Sequence, residues 1–228
     1  MPTAIITGAS RGLGLALARA LARDGWRLVV DARGAEALDQ AAEELGRLGE
    51  VTAIAGDVSD PAHRQALVDA AGERIDLLVN NASLLGPSPQ PMLADYPLEV
   101  LERVYSVNVF APLALIQLAL PRMREGGRIL NITSDAGSEA YEGWGGYGSS
   151  KAALEQISAI LLGEQPHLRI YAVDPGDMRT QMHQEAFPGE DISDRPPPEE
   201  SVPGLIALIE GDHPSGRYRA NDLAGVTA

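Results

Sequence analysis

A chain of 228 residues with 32 acidic against 18 basic side chains carries a formal charge of −14, which disfavours nucleic acid and anionic membrane surfaces as partners. Cysteine is absent, so disulfides, thiolate zinc sites and a cysteine nucleophile are excluded. The length suits one α/β domain with a full core, and no signal-peptide layout precedes the first apolar stretch, so a cytoplasmic setting is expected.

Thr3-Ala4-Ile5-Ile6 is short, apolar and reads as the first strand. It runs into Thr7-Gly8-Ala9-Ser10-Arg11-Gly12-Leu13-Gly14, and residues 15–23, rich in Leu, Ala and Arg, predict a helix behind it. In a strand–glycine turn–helix unit, backbone N–H groups and a helix N-terminus can receive a phosphate, and glycine lets it come close. Gly25 reads as a C-cap ahead of a second strand at 26–31. Residues 35–48 show helical spacing, with Leu38, Ala41, Ala42, Leu45 and Leu48 on one side. A third strand at 51–55 closes at Gly56-Asp57-Val58, and Asp60-Pro61 starts the next helix. The fourth strand, 75–79, ends in Asn80-Asn81-Ala82-Ser83. A proline-marked loop then leads into a long helix over 98–123, whose apolar run at 107–120 is interrupted by Asn108, Pro112 and Gln117 and reads as too short for a membrane span. A strand at 127–133, a helix at 147–162 and a strand at 168–173 follow. Residues 182–200, proline-rich and acidic, form the one long irregular segment after that strand.

Alternating strands and helices with short connections predict a Rossmann-like, doubly wound parallel sheet in a single domain over 1–228. Ligands bind such sheets beyond the carboxyl ends of the strands. There the chain places Gly8 to Gly14, Asp31 to Arg33, Asp57-Val58, Asn80 to Ser83, Ser134 and Asp174-Pro175-Gly176. Each has a structural alternative: Asp57 capping a turn, Asn80 and Asn81 tying strands, Pro175-Gly176 merely turning the chain. Tyr147 and Lys151 sit four apart on one helix face. A phenol titrates near ~10, and a neighbouring ammonium lowers that value, giving an acid/base for carbonyl reduction or alcohol oxidation. The four histidines, His63, His167, His183 and His213, show no metal-ligand spacing, and no metal is expected. Glu43-Glu44 and Glu199-Glu200 read as solvated helix positions.

Ser134-Asp135-Ala136-Gly137, with Tyr147 thirteen residues after the serine and Lys151 four further on, resembles the active-site segment of the classical short-chain dehydrogenases/reductases. The spacing Gly8-x-x-x-Gly12-x-Gly14 behind Thr7 is similar to that family's cofactor loop. Asn81-Ala82 matches its Asn-Asn-Ala-Gly signature, with Ser83 in place of the glycine. Asp174-Pro175-Gly176 with Thr180 resembles its segment beside the nicotinamide. The resemblance implies an oxidoreductase in which Tyr147 exchanges the proton and Lys151 lowers its pKa and holds the nicotinamide ribose. It further implies that Ser134 positions the substrate oxygen and Asn108 holds a water linking Lys151 to solvent. Gly8, Ser10, Arg11, Gly12, Leu13, Gly14, Arg33, Asp57, Val58, Asn81, Ala82, Pro175, Gly176 and Thr180 would complete the cofactor site. The competing reading of such a fold is a redox sensor that keeps the cofactor and loses the chemistry.

Aligned to the family, the position that selects the cofactor form falls on Ala32, followed by Arg33. With Arg11 that makes two guanidiniums suited to a 2′-phosphate, so NADP(H) is favoured. NAD(H) stays open through Asp31, whose carboxylate could accept from the ribose hydroxyls. Asp135 is expected to face solvent. The substrate is a small carbonyl or alcohol compound, and residues 182–200 are expected to cover it. Leu113, Leu115, Ile116, Leu118, Leu154, Ile157, Ile160 and Leu161 exceed what one buried face needs. The family's corresponding helices pair across a two-fold axis, implying a homodimer or homotetramer.

Overall fold

The computed structural model describes residues 1–223. Seven parallel strands form one sheet in the order β3-β2-β1-β4-β5-β6-β7. The strands are β1 Thr3–Ile6, β2 Arg27–Ala32, β3 Val51–Ala55, β4 Ile75–Asn80, β5 Met123–Ile132, β6 Arg169–Asp174 and β7 Gly216–Arg219. The helices are α1 Gly12–Arg23, α2 Ala35–Gly46, α3 Pro61–Ala71, α4 Leu98–Tyr105, α5 Ala111–Ala119, α6 Gly145–Glu164, α7 Gln181–Ala186, α8 Val202–Glu210 and α9 Ala220–Leu223. Strand order reverses between β1 and β4, the switch point at which a sheet of this type opens a crevice.

Alternation along each strand divides the core into two layers. Ala4, Ile6, Leu28, Val30, Leu77 and Val79 meet α1, α2 and α8 through Leu17, Leu21, Leu38 and Leu205. Ile5, Val29, Leu78, Ile129 and Ile170 meet α3, α5 and α6 through Leu67, Leu115, Ile116 and Leu161. Helix α3 starts as its sequence predicts, with the Asp60 carboxylate accepting from Ala62 N–H and Pro61 in the first turn. Glu44 and Glu199 are not simply solvated. Both flank Arg19, Glu44 as a two-pronged partner at 2.5 and 2.9 Å and Glu199 at 3.3 Å, so α1 is tied to α2 and to the turn at Pro198–Glu200.

Several boundaries differ from the sequence reading. Helix α1 begins at Gly12, and α2 stops at Gly46 with Leu48 36% exposed. The expected long helix is a helical run over Leu98–Arg122, broken by a π-type turn at Ser106–Phe110, and Met123 already belongs to β5. This run of 25 residues is long and apolar enough on length and composition to span a bilayer, contrary to the reading of 107–120 as too short. Half of its most apolar window, however, is buried inside the fold. Residues 182–200 are partly helical rather than irregular, and α8 and β7 were not anticipated. Strand β7 hides because Gly-Arg-Tyr-Arg is a short, charged edge segment, the composition that keeps an edge from pairing with another chain.

A buried polar chain crosses the sheet behind the crevice. Asn80 Nδ2 donates to Asn131 Oδ1 at 2.8 Å, and Asn131 Nδ2 donates to Ser158 Oγ at 2.8 Å. Asn131 is fully buried, so its removal strands two partners. Asn131→Ala should lower unfolding free energy by about 2–4 kcal/mol in urea titrations. A loss under ~0.5 kcal/mol would show that the chain does not hold β4, β5 and α6 together.

Candidate active site

The glycine turn is held from two sides. Gly8 and Gly12 have φ of 68° and 58°, a region other residues rarely enter, and both line the crevice. On one side Gly8 N–H donates to Asp31 Oδ1 at 2.7 Å, while Asp31 Oδ2 meets His63 Nε2 at 2.9 Å. On the other, Asn81 Nδ2 donates to the carbonyls of Thr7 and Gly8 at 2.8 and 3.1 Å. Thr7 Oγ1 donates to Val79 O and accepts from Asn81 N–H and Ala82 N–H at 3.0 and 2.9 Å. Asp31 is 1% exposed at the cavity wall, with one oxygen on Gly8 N–H and the other on His63. His63 was passed over in the sequence because a single histidine outside any ligand spacing signals nothing.

Beyond the strand ends lies one cavity of about 900 Å³, near the top of the range for small-molecule sites. Its wall gathers Ser10, Arg11, Leu13, Arg33, Asp57 and Val58 toward the β2–β3 side and Ala82, Ser134, Tyr147 and Lys151 beside β4 and β5. Pro175, Gly176 and Thr180 follow β6 into the same wall. Two expected site residues lie outside it. A Cβ on Gly14 would sit 2.5 Å from Asn81 Nδ2 and from Gly8 O, so this glycine serves the packing of α1 against the loop. Asn108 is 1% exposed in the π-type turn and stands behind the wall.

Toward β2 and β3, Asp57 accepts from Ser59 N–H and Oγ and pairs with Arg103 at 3.3 Å. Burial works to raise its pKa, but the Ser59 hydrogen bonds and the charges of Arg103 and Arg33 leave it below the usual carboxylate value. Arg33 is exposed, and among the described residues no carboxylate pairs with it. Arg11 donates to Gln181 Oε1 at 2.5 Å, linking the glycine turn to α7.

Tyr147 and Lys151 share the buried face of α6. Lys151 Nζ donates to Ile132 O at 2.8 Å and lies 5.3 Å from the Tyr147 ring centroid. Burial pushes the ammonium down to about 8, with the Glu155 charge acting the other way. The phenol is pushed above its ordinary value, mainly by burial; a Ser83 hydrogen bond lowers it, and the charges of Asp135 and Asp174 add to the rise. Desolvation of the phenolate thus sets the direction at Tyr147, while the Lys151 ammonium is held on the Ile132 carbonyl.

Asn108 fills all four of its amide positions. Oδ1 accepts from Leu84 N–H and Ser83 Oγ, and Nδ2 donates to Leu84 O and Ser150 Oγ. Ser150 in turn donates to Tyr147 O at 2.6 Å, so the side-chain amide locks the loop after β4 onto α6. Asp135 does not simply face solvent: its Oδ1 accepts from Ser134 Oγ at 2.9 Å and its Oδ2 from Tyr141 at 3.0 Å. The apolar side of the cavity, which the sequence did not indicate, comes from Leu85, Trp144, Met182 and Ala186 around Tyr147. These residues are far apart in the chain and carry no motif.

A family profile described as short chain dehydrogenase matches residues 2–191. The chain is 38% identical over 191 residues to the rhamnolipids biosynthesis 3-oxoacyl-(acyl-carrier-protein) reductase of Pseudomonas aeruginosa, covering 78% of this chain and 73% of that one. It superposes on a short chain dehydrogenase from Pseudomonas syringae with a TM-score of 0.90 at 29% identity, over 96% of this chain and 94% of the other. A short chain dehydrogenase from Shigella flexneri, solved with NADP, gives a TM-score of 0.86 at 29% identity over 96% of each chain.

The displaced ammonium has a measurable consequence. With Lys151 titrating near 8 in the folded protein and near ~10.4 unfolded, the unfolded chain binds the extra proton between those values. Stability therefore rises with pH across that window. From pH 7 to pH 10 the wild type should gain roughly 2–3 kcal/mol relative to Lys151→Met in paired urea titrations. Equal pH dependence in the two proteins would mean that Lys151 keeps an ordinary pKa.

Proposed function

The chain belongs to the short-chain dehydrogenase family of oxidoreductases, and from that premise we propose that it reduces a carbonyl group on a small organic substrate to an alcohol with NADPH. The observation that carries this reading is the single cavity wall that brings the buried Tyr147 phenol together with Ser134, Lys151 and the glycine turn. A phenol held beside Ser134 and Lys151 in one wall can pass its proton to a carbonyl oxygen as the hydride arrives at the carbon.

The residues present fit the cofactor. Gly8 and Gly12 leave backbone uncovered where a pyrophosphate would lie against the start of α1, and Arg11 and Arg33 supply two cations for a 2′-phosphate. Asp31 at the same wall is committed to Gly8 N–H and His63. When bound, the reduced nicotinamide supplies the hydride to the carbonyl carbon. Ser134 holds the substrate oxygen, and Tyr147 delivers its hydroxyl proton to that oxygen as the C–O double bond becomes single. Lys151 stands beside the phenolate that remains and offsets its charge. Asn108 acts by position, through Ser150 and the Leu84 backbone. Helix α7, with Met182 and Ala186 packed toward Tyr147, covers the substrate and excludes water. Exposed Leu98, Phe110 and Ile160 on the α4–α5 run and α6 support pairing of two chains through these helices.

Tyr147→Phe keeps the ring and removes the proton, so NADPH-dependent carbonyl reduction should fall by at least about 10³-fold while NADPH affinity changes little. Retained turnover in that variant would overturn the mechanism. NADPH should bind at least tenfold more tightly than NADH, about 1.4 kcal/mol. Arg33→Ala should remove most of that difference in a fluorescence titration; equal affinities in the wild type would refute the choice of NADP(H).

A further inference from the structure

The carboxylate next to Ser134 has no cation of its own. Asp135 accepts from Ser134 Oγ and Ala136 N–H through Oδ1, at 2.9 and 2.8 Å, and from Tyr141 through Oδ2. Among the described residues no lysine or arginine pairs with it, whereas nearby Asp174 is faced by Arg219 at 3.4 Å and Arg217 at 3.9 Å. A carboxylate offers about four lone-pair positions, and three are taken, all by neutral donors. Asp135 lines the cavity, and its charge is felt at the Tyr147 phenol.

The surrounding wall makes that charge conspicuous. Leu85, Trp144, Met182 and Ala186 form an apolar chamber, and Trp144 packs edge-on to Tyr147 with ring centroids 5.9 Å apart. One polar group in this wall has no hydrogen bond at all. His183 on α7 has a side chain 10% exposed, and its Nε2 is buried with no hydrogen bond. A buried unpaired donor or acceptor is costly, so His183 Nε2 asks for a polar partner, while Asp135 keeps a charge that no cation offsets.

We propose that Asp135 selects the substrate: a neutral or cationic apolar ketone carrying a hydroxyl or ammonium on the carbon next to the carbonyl. This rests on the reading of the cavity as a carbonyl-reducing site. Ser134 Oγ and Asp135 Oδ1 are 2.9 Å apart, about one hydrogen-bond length. When the Ser134 hydroxyl turns its one proton from Asp135 to a ketone oxygen, Oδ1 loses that donor, and a hydroxyl or ammonium on the adjoining carbon of the ligand takes its place. A carboxylate at the same place on the ligand meets an uncompensated like charge in an apolar enclosure and is rejected.

Three probes of similar shape separate the cases: 2-hydroxypropiophenone, propiophenone and phenylglyoxylate. Binding is read from quenching of Trp144 fluorescence in the wild type, Asp135→Asn and Asp135→Ala, with and without NADP+, and kcat/KM is read separately with NADPH. The wild type should bind the hydroxyketone at least tenfold more tightly than propiophenone, with phenylglyoxylate weakest. Asp135→Asn, nearly the same shape without the charge, should cut the hydroxyketone advantage at least fivefold and improve phenylglyoxylate. An order of affinities unchanged by Asp135→Asn, or a wild type that prefers phenylglyoxylate, would overturn the proposal. If the affinities follow expectation and none of the ketones oxidises NADPH, the carbonyl-reductase reading fails and the binding assignment stands.

Discussion

The Asp31 carboxylate is the constraint on which the cofactor end of the molecule rests. It is buried at the end of β2 and takes the Gly8 N–H on one oxygen and the His63 ring on the other. A buried carboxylate is tolerable only when its lone pairs are met, and here they are met by the turn it must fix and by a helix α3 side chain. Thr7 and Asn81 complete the hold from the β4 side. The glycine turn is thus clamped from β2 on one side and from the end of β4 on the other, and its conformation is set before any ligand arrives. Pre-organisation of this kind spares a ligand the cost of ordering the loop.

A second consequence of burial governs the chemistry. Tyr147 and Lys151 are shifted in opposite directions, the phenol up and the ammonium down, and both shifts disfavour charge. Desolvation is the common cause. The phenol therefore holds its proton more firmly than a free tyrosine, and the ammonium releases its proton more readily than a free lysine. Asn108 keeps this geometry indirectly, by fastening the loop that carries Ser83 and Leu84 to the helix turn that carries Tyr147. The π-type turn around Asn108 interrupts the Leu98–Arg122 helical run where its amide is used. Irregular helix geometry at such a position is a common companion of function.

The chain also differs from its family's pattern in ways that matter locally. Ser83 stands where the signature has glycine and reaches the Tyr147 hydroxyl, pulling the phenol back toward its ordinary value against the effect of burial. Asp135 follows Ser134 and binds its hydroxyl. Both departures add hydrogen-bonding groups to the cavity wall that carries Ser134 and Tyr147.

The parallel sheet, the phosphate turn and the Ser134–Tyr147–Lys151 segment were legible in the sequence, because each rests on local signals: apolar runs, glycines at fixed intervals, a four-residue helical spacing. Six of the seven strands follow from those runs, and the seventh escaped because an edge strand is short and charged by design. Only the tertiary structure decided what burial and distant partners decide. Asp31 turns inward because His63, thirty-two positions away, meets it there. The Tyr147 phenol rises because desolvation outweighs an ammonium already bonded to Ile132. Asn108 is saturated, and Asp135 is bound to Ser134 rather than to water. Pattern fixes which residues share a face; solvation and hydrogen-bond competition among groups far apart in the chain fix what each one can do there.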